Sequence, residues 1–414
     1  MVPNGWNSKP LAQLLEKIID YRGQSVPKSS SGIPLITARN VREGYLDFSN
    51  QEYVDESKFE EWMTRGIPQK GDILFTTEAP LGKACRYPSE GMYAIGQRTV
   101  TLRTNKKLDP EFLLYTILSE RGQLLIDLRS SGSTAKGIKS SELKKVKIAY
   151  PESLSEQRKI AKILSTWDKA ITTTEQLIAA SQQQKKALMQ QLLTGKKRLL
   201  NPETGKVFEG GWEEVSLSKL CSRLTEKNKG QSTNVVTISA QHGLIRQEEF
   251  FKKSVASETL DNYFILRKGQ FAYNKSYSNG YPMGAIKRLN RYEDAVVTSL
   301  YICFEIKDYR HTSSCFLEQF FESGLLNRGL TKVAAEGGRA HGLLNVKPTD
   351  FMALTLHIPK FKEQQKIASV LTVADKEIEL LQAKLAHLKE EKKALMQQLL
   401  TGKRRVKVDT TEAA

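Results

Sequence analysis

Lys185–Lys196 reads KKALMQQLLTGK, and Lys392–Lys403 spells the same twelve residues again, 207 positions later. The match continues upstream without a gap to EQRKIA at Glu156–Ala161 against EQQKIA at Glu363–Ala368, at the same offset. Each copy closes about half of the 414-residue chain, so the repeat has two units and is not a solenoid array. In the first copy Ile160, Leu164, Trp167, Ile171, Thr174, Ile178, Ser181, Lys185, Leu188 and Leu192 recur at alternating spacings of four and three. In the second the series is Ile367, Leu371, Ala374, Ile378, Leu381, Leu385, Leu388, Lys392, Leu395 and Leu399. That spacing is the seam of a coiled coil.

The ends of the stretch support the helix. Ser153-x-x-Glu156 matches a capping box, while Gly195 followed by Lys196, Lys197 and Arg198 supplies a C′ glycine and cations at the negative helix end. Thr174 and Ser181 weaken the first seam where the second has Leu381 and Leu388, so the two seams are expected to pair with each other. A helix of about 38 residues is about 57 Å long at 1.5 Å per residue. A parallel pair would stretch the short connector close to the reach of the chain, so the pairing is predicted to be antiparallel, with the globular units at opposite ends. Lys185 and Lys392 occupy equivalent seam positions, where a charge is costly unless it reaches solvent or a partner carboxylate.

Around the helices the chain reads as α+β. Residues 1–152 form a first globular unit, with strand-like runs at Ile33–Ala38, Asp72–Thr77 and Tyr93–Leu102. Asp109-Pro110 starts a helical stretch over Glu111–Leu128, and Val146–Tyr150 is a closing strand. The first long helix takes 153–198, a polar connector 199–210, a second globular unit 211–361 and the second long helix 362–405. Residues 406–414 read as a disordered tail. Gly211-Trp212 restarts the pattern of Gly5-Trp6, so the second unit repeats the first in plan.

Sixty-three Lys and Arg against 46 Asp and Glu give a formal charge of +17, which favours a polyanionic partner, nucleic acid first. The long-helix segments hold a share of it, nine basic against three acidic residues in 156–198 and nine against six in 363–405. No run of about 18 apolar residues exists to cross a membrane. The first ten residues lack the apolar core of a signal peptide, and Cys85, Cys221, Cys303 and Cys315 form no CxxC pair, which predicts a cytoplasmic protein with reduced thiols.

The residues quoted above resemble the DNA-specificity subunits of type I restriction-modification enzymes. The likeness rests on EQRKIA and EQQKIA opening the long helices, LLTGKKR and LLTGKRR closing them, Gly-Trp opening each variable unit, and GSTAKGIKSSELKKVKI at Gly132–Ile148. The resemblance covers both halves in order. It implies two target-recognition domains separated by an antiparallel two-helix coiled coil, each domain reading one half of a split, asymmetric site in double-stranded DNA. It further implies that the coil sets the gap and docks two modification subunits, which use S-adenosylmethionine, with restriction subunits adding ATP- and Mg²⁺-dependent translocation and cleavage. The chain itself would bind no cofactor and carry no catalysis.

The motifs agree. Asn201-Pro202 continues with Glu203, not with the Pro-aromatic of an adenine methyltransferase, and GSTAKG at Gly132–Gly137 is followed by Ile138 where a P-loop needs lysine. The five histidines lack metal-ligand spacing. The rivals are a coiled-coil adaptor that binds proteins and a self-contained methyltransferase.

DNA reading needs amides and guanidinia for base edges, and cations and hydroxyls for phosphates. In the first unit Arg39, Asn40 and Arg42 lie past one strand, Thr76 and Thr77 end another, and Lys83, Gln97 and Arg98 flank glycines. Ser133, Thr134 and Lys136 sit in a Gly-flanked loop suited to phosphate. In the second unit YNKSYSNGY at Tyr273–Tyr281 interleaves amides, hydroxyls, a lysine and aromatics, with Lys275, Tyr277, Ser278, Asn279 and Tyr281 as candidates; a polar hairpin around Asn279-Gly280 is the structural alternative. Arg339 and His341 are weaker candidates. For docking, the seam residues Ile160, Leu164, Lys185, Leu188, Leu192, Ile367, Leu371, Lys392, Leu395 and Leu399 are singled out.

Overall fold

The computed structural model describes all residues except Met1, Arg22, Gln24, Thr134, 251–258, 335–343 and 409–414. It is an α+β structure with two sheet-rich halves and two 39-residue helices, Leu154–Leu192 and Phe361–Leu399. The chain divides into two compact units, residues 1–175 with 383–414, and residues 176–382, so each unit holds one half of each long helix.

In the first unit Leu15–Asp20, Thr99–Thr104, Ile73–Thr76 and Ala84–Arg86 form an antiparallel sheet in that order. A second sheet orders Lys28–Ser29, Glu52–Val54, Ile33–Ile36 and Ala94–Ile95, the last pair parallel. Trp6–Pro10 pairs antiparallel with Lys147–Pro151, which ties the start of the unit to the strand entering the first long helix. Leu11 and Leu14 fall in and just after a 3₁₀ turn, and Ile18 lies on a strand.

The stretch expected as one helix over 111–128 is two, Pro110–Leu118 and Glu120–Asp127. Asp109 caps the first as expected, accepting from the Phe112 amide at 3.1 Å with Pro110 in the first turn. Ser119 then adopts an extended backbone, ends that helix and caps the next through Gly122 N at 3.0 Å. Only glycine fits at 122, because a Cβ there would lie 1.9 Å from the Thr116 carbonyl oxygen.

The second unit repeats the plan. Cys221–Leu224, Ile302–Ile306, Phe271–Asn274 and Ala285–Arg288 form its four-stranded antiparallel sheet. Glu213–Ser216 pairs with Thr355–Ile358 as Trp6–Pro10 pairs with Lys147–Pro151. Its core stacks Phe271 on Phe304 with centroids 5.3 Å apart, and Tyr273 on Phe351 at 4.8 Å. Burial of such a side chain contributes about 1.5–3 kcal/mol.

Within each unit the helix segments run antiparallel. In the first, Lys392 pairs with Asp168 and Arg405 with Glu156, so partner numbers fall as positions rise. In the second, Lys185 pairs with Asp375 and Arg198 with Glu363. The four pairs are one pair of contacts written twice, each member shifted by the 207-residue repeat. The expected capping box is half made: Ser153 Oγ accepts from Glu156 N at 3.3 Å, but the Glu156 carboxylate goes to Arg405. Gly195 and Gly402 close the helices at φ of +70° and +69°, each against the tryptophan that opens its unit, Trp212 and Trp6. Val406 packs against the first core.

Candidate nucleic-acid interface

In the first unit three candidates come together. Past the strand Ile33–Ile36 the chain turns on Asn40, whose Oδ1 accepts from Thr37 N at 2.9 Å and Thr37 Oγ1 at 2.8 Å. Its Nδ2 donates to the Asp47 and Asn50 carbonyls, both at 2.9 Å. This buried amide is spent on the loop, so Asn40 is a framework residue and the exposed Arg39 beside it is what the loop presents. On the neighbouring loop Gly96 N donates to the Ile36 carbonyl at 2.8 Å, which brings Gln97 and Arg98 alongside. Arg39, Gln97 and Arg98 line one cleft of about 360 Å³ with Lys28 and Thr37. Arg98 is held by Glu78 at 3.0 Å.

The other first-unit candidates divide between residues that shape these loops and residues on the surface. Thr76 and Thr77 are buried: Thr76 Oγ1 accepts from Lys83 N at 2.9 Å, and Thr77 Oγ1 donates to the Arg98 carbonyl at 3.2 Å. Arg42 pairs with Asp47 at 3.0 Å; that carboxyl is pulled down to about 2 by hydrogen bonds from Ser49 first and Arg42 next. Lys83 pairs with Glu43. Ser133 and Lys136 lie exposed together, with Lys136 on Asp127 at 2.6 Å. Thr134, Arg339 and His341 lie outside the described residues.

In the second unit the strand Phe271–Asn274 runs into the expected polar turn. Tyr281 N donates to the Ser278 carbonyl at 2.8 Å, and Gly280 takes φ +83°. Tyr277 is 66% exposed, Asn279 is exposed, and Lys275 makes no ion pair among the described residues. Tyr281 instead turns inward: its hydroxyl donates to Glu322 at 2.7 Å and the Lys287 ammonium lies 4.8 Å from its ring centroid. Burial raises its phenol well above the usual range, and the Glu322 charge adds to this. Lys287 and Arg288 pair with Glu322 and Glu318.

Two further sets emerge from the fold. Lys28 joins the first cleft, and Asn234, Arg246 and Gln247 line a second-unit cleft of about 410 Å³. Arg246 ends the strand Gly243–Arg246 and Gln247 follows it at the start of a short helix, the same strand-end signal used for Arg39 and Thr76.

The seam candidates are buried at the helix ends, with Ile160, Leu164, Leu192, Ile367, Leu371 and Leu399 all 2% exposed or less, while Leu188 and Leu395 are half-buried. Lys185 reaches Asp375 Oδ1 at 2.5 Å, and Gln319 donates to Asp375 Oδ2 at 2.7 Å. Lys392 reaches Asp168, which also accepts from the Tyr115 hydroxyl at 2.6 Å. Each seam lysine therefore has its partner carboxylate on the other long helix, a register lock made twice.

Among the described residues no three His, Cys, Asp or Glu are grouped to hold a metal, and no described helix is long and apolar enough to cross a membrane. Burial pushes the Cys85, Cys221 and Cys303 thiols up to about 12.

Comparison with known proteins points one way. The sequence model of the type I restriction modification DNA specificity domain matches residues 3–181. The putative type I restriction enzyme MjaX specificity subunit of Methanocaldococcus jannaschii is 25% identical over 431 residues, covering 98% of this chain and 95% of that protein. The MjaIX specificity subunit of the same organism is 29% identical over 184 residues, 41% of this chain and 39% of that protein. The crystal structure of the S subunit of a type I restriction-modification system from M. genitalium shares the fold, with a TM-score of 0.58, 14% identity and 96% and 97% of the two chains covered. A chain from a study of complex assembly and conformational transition of the type I R-M system gives 0.56, 14%, 97% and 98%.

Proposed function

We infer, for a chain that belongs to the specificity subunits of type I restriction-modification systems, that each globular half reads one part of a split, asymmetric DNA site and that the paired helices set the gap between the parts. The subunit determines DNA specificity and is itself non-catalytic. The observation that carries the finer reading is the doubled scaffold with dissimilar loops. Identical helix ends and repeated ion pairs hold two units whose strand-end loops differ, Arg39, Gln97 and Arg98 in one and Lys275, Tyr277, Ser278 and Asn279 in the other. A common frame that carries different loop side chains in its two halves suits two unrelated base sequences. Guanidinium and amide groups match guanine and adenine edges in the major groove, while Ser133, Lys136 and the net charge of +17 suit phosphates.

The chemistry then belongs to partners: two modification subunits that methylate adenine with S-adenosylmethionine, and restriction subunits that use ATP and Mg²⁺. Repeated surfaces on the helix segments provide two equivalent docking places for the former. The test is to co-express the chain with its modification subunit and map methylated adenines across a genome. Two half-sites at a constant gap are expected; one continuous site, or methylation without the modification subunit, would overturn the reading. Purified chain should also lose DNA affinity linearly in log–log form as salt rises, which a protein-binding adaptor would not do.

A further inference from the structure

The two units differ beside the C-terminal part of the second long helix. In the first unit the helices Pro110–Leu118 and Glu120–Asp127 and the C-terminal part of the second long helix enclose a groove of about 480 Å³. Its floor is apolar, with Leu118, Leu125, Met396 and Leu400. Its lining carries six cations, Arg121, Lys147, Lys389, Lys392, Lys393 and Lys403, against two carboxylates, Glu43 and Glu120. Arg121, Lys147 and Lys403 are exposed and make no ion pair among the described residues. From the groove wall an apolar stripe continues outward, since Leu124 and Leu128, 58% and 72% exposed, share the face of Arg121 and Leu125 at helical spacing.

Among the described residues the second unit has this architecture with bulkier, more deeply buried side chains at the floor. Asp109 and Ser313 are equivalent caps, each accepting from the phenylalanine amide three residues on and each donating its own backbone amide to the side-chain oxygen of a glutamine on a long helix. Counting from those caps, Phe320 stands where the first unit has Thr116. Met189, the repeat counterpart of the half-buried Met396, is 8% exposed in one core with Phe320 and Leu326. Thr355 occupies the strand position of Lys147, so that cation is missing as well.

We propose that the first-unit groove docks an acidic amphipathic helix of a partner protein, and that this partner binds once per chain because the second unit has the groove filled. An apolar floor inside a cationic rim is complementary to a helix with leucines on one face and carboxylates flanking them. It suits DNA poorly, because phosphates would leave the leucine and methionine surface uncovered. The site is separate from the strand-end loops assigned to DNA; one wall is the repeated helix end, and the opening beside it in the first unit sets it apart from the doubled surfaces assigned to the modification subunits.

The experiment uses the full chain and a fluorescein-labelled 18-residue peptide with leucine at positions i, i+3, i+4 and i+7 and glutamate on the flanks, with a scrambled peptide as control. Anisotropy should show saturable binding of one peptide per chain. The double variant Lys147→Glu/Lys403→Glu should weaken it at least tenfold with the thermal midpoint unchanged, and Thr116→Phe, copying the second unit, should do the same by filling the floor. No saturable binding, two peptides per chain, or equal binding of the scrambled peptide would overturn the proposal. So would displacement of the peptide by a 30-base-pair duplex that the charge-reversed variant also binds less well, since the groove would then be a DNA surface.

Discussion

Replacing Arg198 by methionine tests how the helix segments of the second unit are held. Glu363 lies in the first turn of the second long helix with its side chain 2% exposed, and Arg198 grips it with Nε at 2.5 Å and Nη2 at 2.7 Å. Methionine keeps much of the aliphatic stem but leaves a buried carboxylate without its cation. Removing one partner of a buried pair costs about 3–5 kcal/mol. The positive helix end beside Glu363 returns about 0.5–1 kcal/mol, so a loss of about 3 kcal/mol is expected. The equivalent Arg405 is 47% exposed, so water reaches its bond to Glu156 and Arg405→Met should cost less, about 1–2 kcal/mol. Trp212 is the one tryptophan of residues 176–382, so urea unfolding followed by its ¹⁹F resonance in 5-fluorotryptophan-labelled protein reports the second unit alone. The double variant Arg198→Met/Glu363→Leu removes both charges and should recover part of the loss. A single-variant loss below about 1 kcal/mol, or a double-variant loss equal to the sum of the singles, would refute the reasoning.

Other outcomes are equally specific. Arg98→Ala and Lys275→Ala should each weaken recognition of one half-site only, as read by methylation mapping, and a phosphate contact at either residue would lower the salt slope by about 0.9; equal loss at both halves would contradict independent reading. Gly402→Ala should cost more than Gly195→Ala in urea unfolding, about 1–2 kcal/mol against about 1. The added carbon meets Pro3 at 2.7 Å and Trp6 at 3.0 Å in the first case, but Trp212 at 3.2 Å in the second, so equal losses would argue against the close approach. Inserting one heptad at the same level in both long helices should lengthen the preferred gap by about 3 base pairs, and an unchanged gap would remove the helices from setting it. Ellman's reagent at pH 8 should titrate one thiol per native chain, the exposed Cys315, and four after denaturation. The buried thiols, held at about 12, stay protonated there, so rapid reaction of a second one would contradict their burial.

The repeat KKALMQQLLTGK by itself determined the two long helices, their seams, their terminal glycines and the two-unit plan, because helical periodicity and capping are local signals that survive without knowing any partner. It also marked Lys185 and Lys392 as out of place on a seam. Only the tertiary structure decided their partners, Asp375 and Asp168, which lie about 200 positions away in sequence and meet them through antiparallel packing. The same division holds in the strand-end loops. Arg39 was legible as a polar residue past a strand, Gln97 and Arg98 as polar residues beside a glycine, and the fold alone joined them in one cleft. Asn40 and Tyr281 read identically in sequence, yet four hydrogen bonds commit the first to its loop and Glu322 draws the second inward. Continuous apolar spacing hid the break at Ser119, because the break depends on Gly122 packing against the Thr116 carbonyl, an approach that only a glycine permits. Periodic patterns record which face a residue turns inward; which group it meets is settled by long-range packing.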